Sequence, residues 1–256
     1  MKYRILMLLI TLTFVAGLWT ASAQDFVSDG LIGFWPLDES TINGDVAEDI
    51  VGGNHGTIMG DPDAVAGKIG QALEFDGVDD YVELPDMGNV PAVTVEAWAL
   101  AHSMPPAAHS CCIGIVSSAP DNQWVAGTVH FKFEAGLITV HKNDSDKITF
   151  SGAELDTWYH AAYTCDTDAN EFMFYVDGEL IGQLPAGATV NNLTHVRIAS
   201  EHEGRYLPGL VDEVRIYTRA LSANEISQNF AVTSNSLAVK SAGKLTSAWG
   251  SIKSHR

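Results

Sequence analysis

Positive charge is scarce in this chain. Its 256 residues carry 14 Lys and Arg against 32 Asp and Glu, a formal charge of −18. Such a chain is a poor partner for nucleic acid, whose affinity comes mainly from neutralised phosphates. Long apolar runs are scarce too. The one example, Ile5 to Trp19, is shorter than the ~20 residues that span a bilayer. It follows Lys2 and Arg4 and leads to Ala21-Ser-Ala23, an A-x-A cleavage pattern before Gln24. Residues 1–23 are therefore expected to be a cleaved signal peptide. The mature chain is then secreted, periplasmic or held at the cell surface, with no membrane span. No Cys follows the apolar run, so attachment through a lipid is not supported. Removal of Lys2 and Arg4 makes the remainder more acidic still.

Cysteine is rare: Cys111, Cys112 and Cys165. The odd count leaves one thiol unpaired or available to a partner chain. Neighbours on a strand point to opposite faces, so one of Cys111 and Cys112 is expected to face Cys165. The expected bridge is Cys112–Cys165, since a vicinal bridge needs a strained peptide.

Long helical patterns are also missing. From residue 30 to 217 the sequence reads as short β segments separated by Gly, Asp, Asn and Pro. Expected strands are Leu31–Leu37, Ala72–Phe75, Tyr81–Leu84, Val93–Leu100, Ile113–Ser117, Val129–Glu134, Leu137–Lys142, Trp158–Cys165, Glu171–Val176, Glu179–Leu184, His195–Ala199 and Leu210–Tyr217. Asp177-Gly178 is a two-residue hairpin signal, and Glu134-Ala-Gly136 joins another pair. Many short strands at this spacing predict an all-β fold, an antiparallel two-sheet sandwich or jelly roll.

The last strand is the most specific. Read with a period of two, Leu210, Asp212, Val214 and Ile216 share one face, and Val211, Glu213, Arg215 and Tyr217 the other. An aspartate among aliphatic residues must be hydrogen-bonded or bound to a cation, because an isolated buried charge is too costly. The strand runs into Ala220-Leu-Ser-Ala-Asn-Glu-Ile226, where Ser222 and Glu225 have the spacing of a capping box for a short helix. Beyond it, residues 231–256 form a Ser-, Ala- and Lys-rich basic tail without an acidic residue. It is expected to be disordered or weakly helical, with Leu245, Trp249 and Ile252 at helical spacing.

The ordered set of motifs resembles a known family. It comprises Gly33-Phe-Trp-Pro-Leu-Asp-Glu39, Gly53-Asn-His-Gly-Thr57, Gly67-Lys-Ile-Gly-Gln-Ala-Leu-Glu-Phe-Asp-Gly-Val-Asp-Asp-Tyr-Val82, Val93-Thr-Val-Glu-Ala-Trp98, Trp158-Tyr-His-Ala-Ala-Tyr163, Phe174-Tyr-Val-Asp-Gly-Glu179 and the closing strand. In this order they are similar to laminin-G-like jelly-roll domains of the concanavalin A-like lectin/glucanase superfamily. The resemblance covers residues 30 to 228, within one domain spanning 24–230. It implies two packed antiparallel sheets, one of them concave, that bind carbohydrate or protein, frequently with a structural Ca²⁺.

Candidate oxygen ligands for that cation are Asp38, Asp76, Asp80 and Asp212, with backbone carbonyls completing the shell. Asp76 and Asp80 also suit the plainer task of capping the turn at Gly77. Trp124 lies in a polar loop, and Tyr206 in Glu201-His-Glu-Gly-Arg-Tyr206. With His202 and Arg205 they make the candidate ligand-binding group, a flat apolar face beside hydrogen-bonding groups. His102, His109 and one cysteine fit no known zinc spacing.

Catalytic signatures are missing as well. The glucanase branch sets carboxylates on alternate residues of one strand, and no Glu-x-Asp-x-Glu triplet occurs here. Gly-x-Ser-x-Gly and His-Glu-x-x-His are absent, and His130-Phe-Lys-Phe-Glu-Ala-Gly136 only faintly echoes an alginate lyase strand. The expectation is a non-catalytic, exported binding or adhesion module. Carbohydrate is the expected ligand, read at the concave face or sandwich rim. The alternatives are an extracellular protein partner without a sugar site, and an atypical glycan-active enzyme.

Overall fold

Two antiparallel sheets face one another in the computed structural model, which describes residues 25–105, 112–118, 125–201 and 205–234. The first sheet runs in the order Glu179–Leu184, Glu171–Val176, Tyr159–Asp166, Ala92–Ala101, Pro208–Tyr217, Gln71–Asp76 and Asp63–Ala66. Leu31–Trp35 pairs additionally with Pro208–Tyr217, so the first and last strands meet at the centre. The second layer is made of two ribbons. One pairs Ile113–Gly114, Val129–Glu134, Leu137–Lys142 and Lys147–Ser151. The other pairs Val116–Ser117, Arg197–Ile198, Tyr81–Glu83, Gly56–Met59, Val46–Ala47 and Ile42–Asn43.

Alternation builds the core. Val93, Val95, Ala97, Ala99 and Ala101 point inward from one sheet and meet Phe131, Phe133, Ile138 and Val140 from the other. The Asp177-Gly178 hairpin forms as expected, with φ of 50° and 79° at the two residues. Those positive values are what a type I′ turn demands. The expected strands are present, joined by Asp63–Ala66, Gly56–Met59 and Lys147–Ser151, whose weak alternation gave no signal.

The last strand departs from simple parity. Asp212 pairs with Trp98, but Arg215 pairs with Glu96, so three steps on one strand oppose two on its neighbour. Glu213 occupies this bulge at φ 56°. The extra residue reverses the alternation: Val211, Val214 and Ile216 all enter the main core, while Leu210 packs on the opposite face with Ala72 and Leu100. Asp212 therefore does not share a face with Val214 and Ile216, which corrects the period-two reading.

Ser222 opens the helix Ala223–Phe230 with the expected capping box. The Glu225 amide donates to the Ser222 hydroxyl, and the Ser222 amide to the Glu225 carboxylate. This helix covers the outer face of the first sheet, with Ile226 among Val27, Ala162, Tyr175, Tyr217 and Leu221.

The expected Cys112–Cys165 bridge is not formed, because Cys165 is a free, buried thiol. The two residues belong to different layers. Cys165 faces the core from the first sheet. Cys112 lies on the outer side of the second, 3.3 Å from Lys132 Nζ. Burial pushes the Cys165 thiol up to about 11.

Candidate functional site

The outer face of the second sheet gathers polar side chains by the same alternation that fills the core. In Val129–Glu134, residues Val129, Phe131 and Phe133 point inward, so His130, Lys132 and Glu134 point outward. They meet Glu201, which arrives just after Arg197–Ile198. Glu201 Oε1 accepts from His130 Nδ1 at 2.6 Å and from Lys132 Nζ at 3.3 Å, and Oε2 accepts from Arg205 Nη1 at 2.9 Å. Burial alone would raise the Glu201 carboxyl. The hydrogen bond from His130, the charge of Lys132 and the hydrogen bond from Arg205 overcome this and hold it at about 2.

His130 is fixed from its other side too. Its Nε2 lies 3.0 Å from Asn143 Oδ1. The Asn143 amide donates to Val125 O at 2.9 Å and to Thr128 Oγ1, which orients the amide oxygen toward the ring. Both ring nitrogens therefore face side-chain oxygens. His141 is a neighbour, with ring centroids 5.9 Å apart. Burial, then His130 and Lys132, lower its pKa, so it stays neutral.

Beside this cluster runs an aromatic group. Tyr81 and Tyr206 stack at 5.7 Å with an interplanar angle of 21°, and the Arg197 guanidinium lies 4.9 Å from the Tyr81 centroid. Arg197 Nε also donates to Glu83 Oε2 at 3.0 Å. Register places these groups, since Arg197 is paired with Ser117 on one side and Glu83 on the other. Two sequence candidates, Arg205 and Tyr206, thus land on one face. Trp124 and His202 lie outside the described residues, as does His109. Sequence reasoning missed His130, Lys132, Glu201, Tyr81 and Arg197. Only the outward parity of His130, Lys132 and Glu134 could have marked them.

The four candidate metal ligands sort into two places. Asp212 Oδ2 accepts from the amides of Lys68 and Ile69 at 2.8 and 2.9 Å. Its Oδ1 is buried with no hydrogen-bond partner. Asp38 is held against the same loop, its Oδ1 accepting from the Gln71 amide at 2.6 Å. Burial, then Glu213 and Asp38, raise the Asp212 carboxyl to about 8. An orphaned oxygen among like charges fits a hard cation, which would supply the missing partner and neutralise the carboxylates. Asp38 and Asp212 meet that requirement.

Asp76 and Asp80 do not join them. Asp76 pairs with Pro208, four residues from Asp212 along the strand, roughly 13 Å at the usual rise. Both Asp80 oxygens are taken, by the amides of Asp61 and Asp76. Asp76 Oδ1 in turn accepts from Val78 at 2.7 Å, the turn-capping role. Together with Asp61, Asp63, Glu74 and His102 they line an acidic hollow of about 490 Å³.

The opposite face of the molecule holds a buried charged layer. Arg215, between the rings of Phe26 and Phe34, pairs with Glu96 and Glu213 beneath the C-terminal helix. Asn229 of that helix donates to Glu96 Oε1 at 2.9 Å and thereby ties the helix to the sheet. Among the described residues no helix is long and apolar enough to cross a membrane.

Comparison with known proteins places this geometry. Residues 76–227 match a family model described as the Concanavalin A-like lectin/glucanases superfamily. No curated protein matches in sequence. Among solved structures, domain 4 of AbnA, a GH43 extracellular arabinanase from Geobacillus stearothermophilus in complex with arabinotriose, superposes with a TM-score of 0.63. It is 19% identical, over 78% of this chain and 98% of that one. The binding domain of Paraclostridial Mosquitocidal Protein 1 gives 0.61 at 13% identity, over 79% of this chain and 52% of that one. Trypanosoma rangeli sialidase in complex with sialic acid gives 0.57 at 19% identity, over 82% of this chain and 36% of that one. The chain thus spans about half of the toxin domain and about a third of the sialidase chain. At these identities the likeness is one of fold.

Proposed function

The chain belongs to the concanavalin A-like lectin/glucanases superfamily, and on that footing we propose that it is an exported, non-catalytic carbohydrate-binding module. The observation that carries this reading is the Tyr81–Tyr206 stack set beside Arg197, Glu83 and Arg205. Sugars are held by flat apolar rings for their C–H faces and by fixed polar groups for their hydroxyls, and this face supplies both. AbnA domain 4, of similar fold, was solved with arabinotriose.

The carboxylates of the same face argue for binding over hydrolysis. A glycosidase acid must hold a proton near neutral pH. Glu201 is held at about 2 and spends both oxygens on cations. Glu134 is bridged by Lys132 and Lys147, and Glu83 by Arg197.

A structural Ca²⁺ at Asp38 and Asp212 completes the proposal. It would tie the first strand to the last, away from the sugar face. A glycan array probed with and without chelator tests the reading, with Tyr206→Ala as the site control. Binding to at least one glycan class, reduced about tenfold or more by Tyr206→Ala, is expected. Absence of binding to every glycan favours a protein partner, and release of sugar ends from a polysaccharide would establish an enzyme.

A further inference from the structure

We propose that the sugar held by this face is anionic, bearing a carboxylate or a sulfate ester; this rests on the carbohydrate-binding reading and narrows it. The ground is the charge balance of one connected network. Glu201 takes His130, Lys132 and Arg205, and Lys132 lies 3.5 Å from Glu134, which also takes Lys147 at 3.3 Å. Among the described residues, the three cations Lys132, Lys147 and Arg205 thus share the two carboxylates of Glu134 and Glu201. The surplus is positive.

Elsewhere the balance runs the other way. Arg215 meets both Glu96 and Glu213, and Arg219 meets both Asp29 and Glu225. In a chain with a formal charge of −18, a local cationic surplus attracts one further anion where the rest of the surface repels it. Salt screens the general repulsion beyond about 8 Å, so a single anionic group close to the network feels mainly the local charge.

The network also reaches solvent beside the aromatic stack. Arg205 is 31% exposed and Lys147 is 55% exposed. Arg205 engages Glu201 and Cys112 through Nη1, and a guanidinium carries five donors in a planar fork. Its neighbour in sequence is Tyr206, stacked on Tyr81. A sugar ring against Tyr206 would bring a ring carboxylate or sulfate within reach of that fork, the pairing at which Arg excels.

The experiment compares sugars that differ only in charge, using calorimetry on the mature chain. The pairs are sialyllactose with lactose, trigalacturonate with its methyl ester, and a chondroitin sulfate oligosaccharide with its desulfated form. We expect at least one charged member to bind about tenfold or more tighter than its neutral twin. The pair that shows the preference separates carboxylate from sulfate. Arg205→Gln should reduce the preference to about threefold or less, and Lys147→Gln serves as a second, surface-exposed variant should the first destabilise the sheet. Neutral twins binding as tightly as charged ones would overturn the inference while leaving carbohydrate binding intact. A charge preference untouched by both variants would also overturn it. Failure of every sugar to bind would remove the carbohydrate reading and this inference together.

Discussion

His130 Nδ1 stands 2.6 Å from Glu201 Oε1, both side chains fully buried and 71 residues apart in sequence. This contact ties the ribbon of Val129–Glu134 to the segment that follows Arg197–Ile198. The carboxyl is held at about 2 instead of its ordinary 4.5. A depressed folded pKa means stability that is present above the ordinary value and lost as pH falls through the folded one. Acid should therefore remove about 3 kcal/mol between roughly pH 4.5 and 2. Urea unfolding of the wild type and Glu201→Gln measures it. The variant should be about 3–5 kcal/mol less stable at pH 7, because three donors lose their anion, and the gap should close toward pH 2. A gap independent of pH would show that the carboxylate charge is not what stabilises the cluster.

Asp212 is expected to couple stability to cation. Asp212→Ala leaves the Lys68 and Ile69 amides without their acceptor, at about 1–3 kcal/mol for each group left unsatisfied in the interior. Calcium should raise the melting temperature of the wild type and chelator lower it, with both responses lost in the variant. Melting that ignores both the substitution and the chelator removes the assignment.

The capping box can be tested alone. Ser222→Ala removes the hydroxyl that receives the Glu225 amide and should cost about 1 kcal/mol. Because the helix covers the outer face of the first sheet, glycan binding on the far layer should be unchanged. A loss of affinity would show that the two faces are coupled.

Cys165 should be silent toward thiol reagents. It is buried, and its thiol is raised to about 11, so little thiolate forms at pH 8. Ellman's reagent should find it only after unfolding. Rapid labelling in the native state would indicate that the strand Tyr159–Asp166 opens readily.

Much of the fold was legible because local rules act within a few residues. Alternation marked the main strands, Asp177-Gly178 marked its hairpin, and Ser222 with Glu225 marked the helix start. The site was legible only where a loop broke the pattern, at Arg205 and Tyr206. Glu201 belonged to the same loop motif, yet its contacts with His130 and Lys132 depend on pairing across the sheet, which spacing does not encode. The cysteine pairing failed for the same reason: parity assigns a face but not a layer. Asp38 and Asp212 both accept from amides of the segment 68–71. Asp76 and Asp80 were separated from them by strand length, and no periodicity measures that.

The bulge at Glu213 adds a residue to the last strand without changing which side chains face the core on either side of it. Upstream of it the inward residue is Val211; downstream the inward residues are Val214 and Ile216, while Arg215 is delivered to Glu96 on the other side. Deleting Glu213 would let Val214 follow Asp212 in plain alternation, so Val214 and Ile216 would still enter the core and Arg215 would still meet Glu96. What the deletion removes is the second carboxylate on Arg215. The extra residue is a charge partner fitted into the strand, and its loss should be felt in the buried charged layer and not in the aliphatic core.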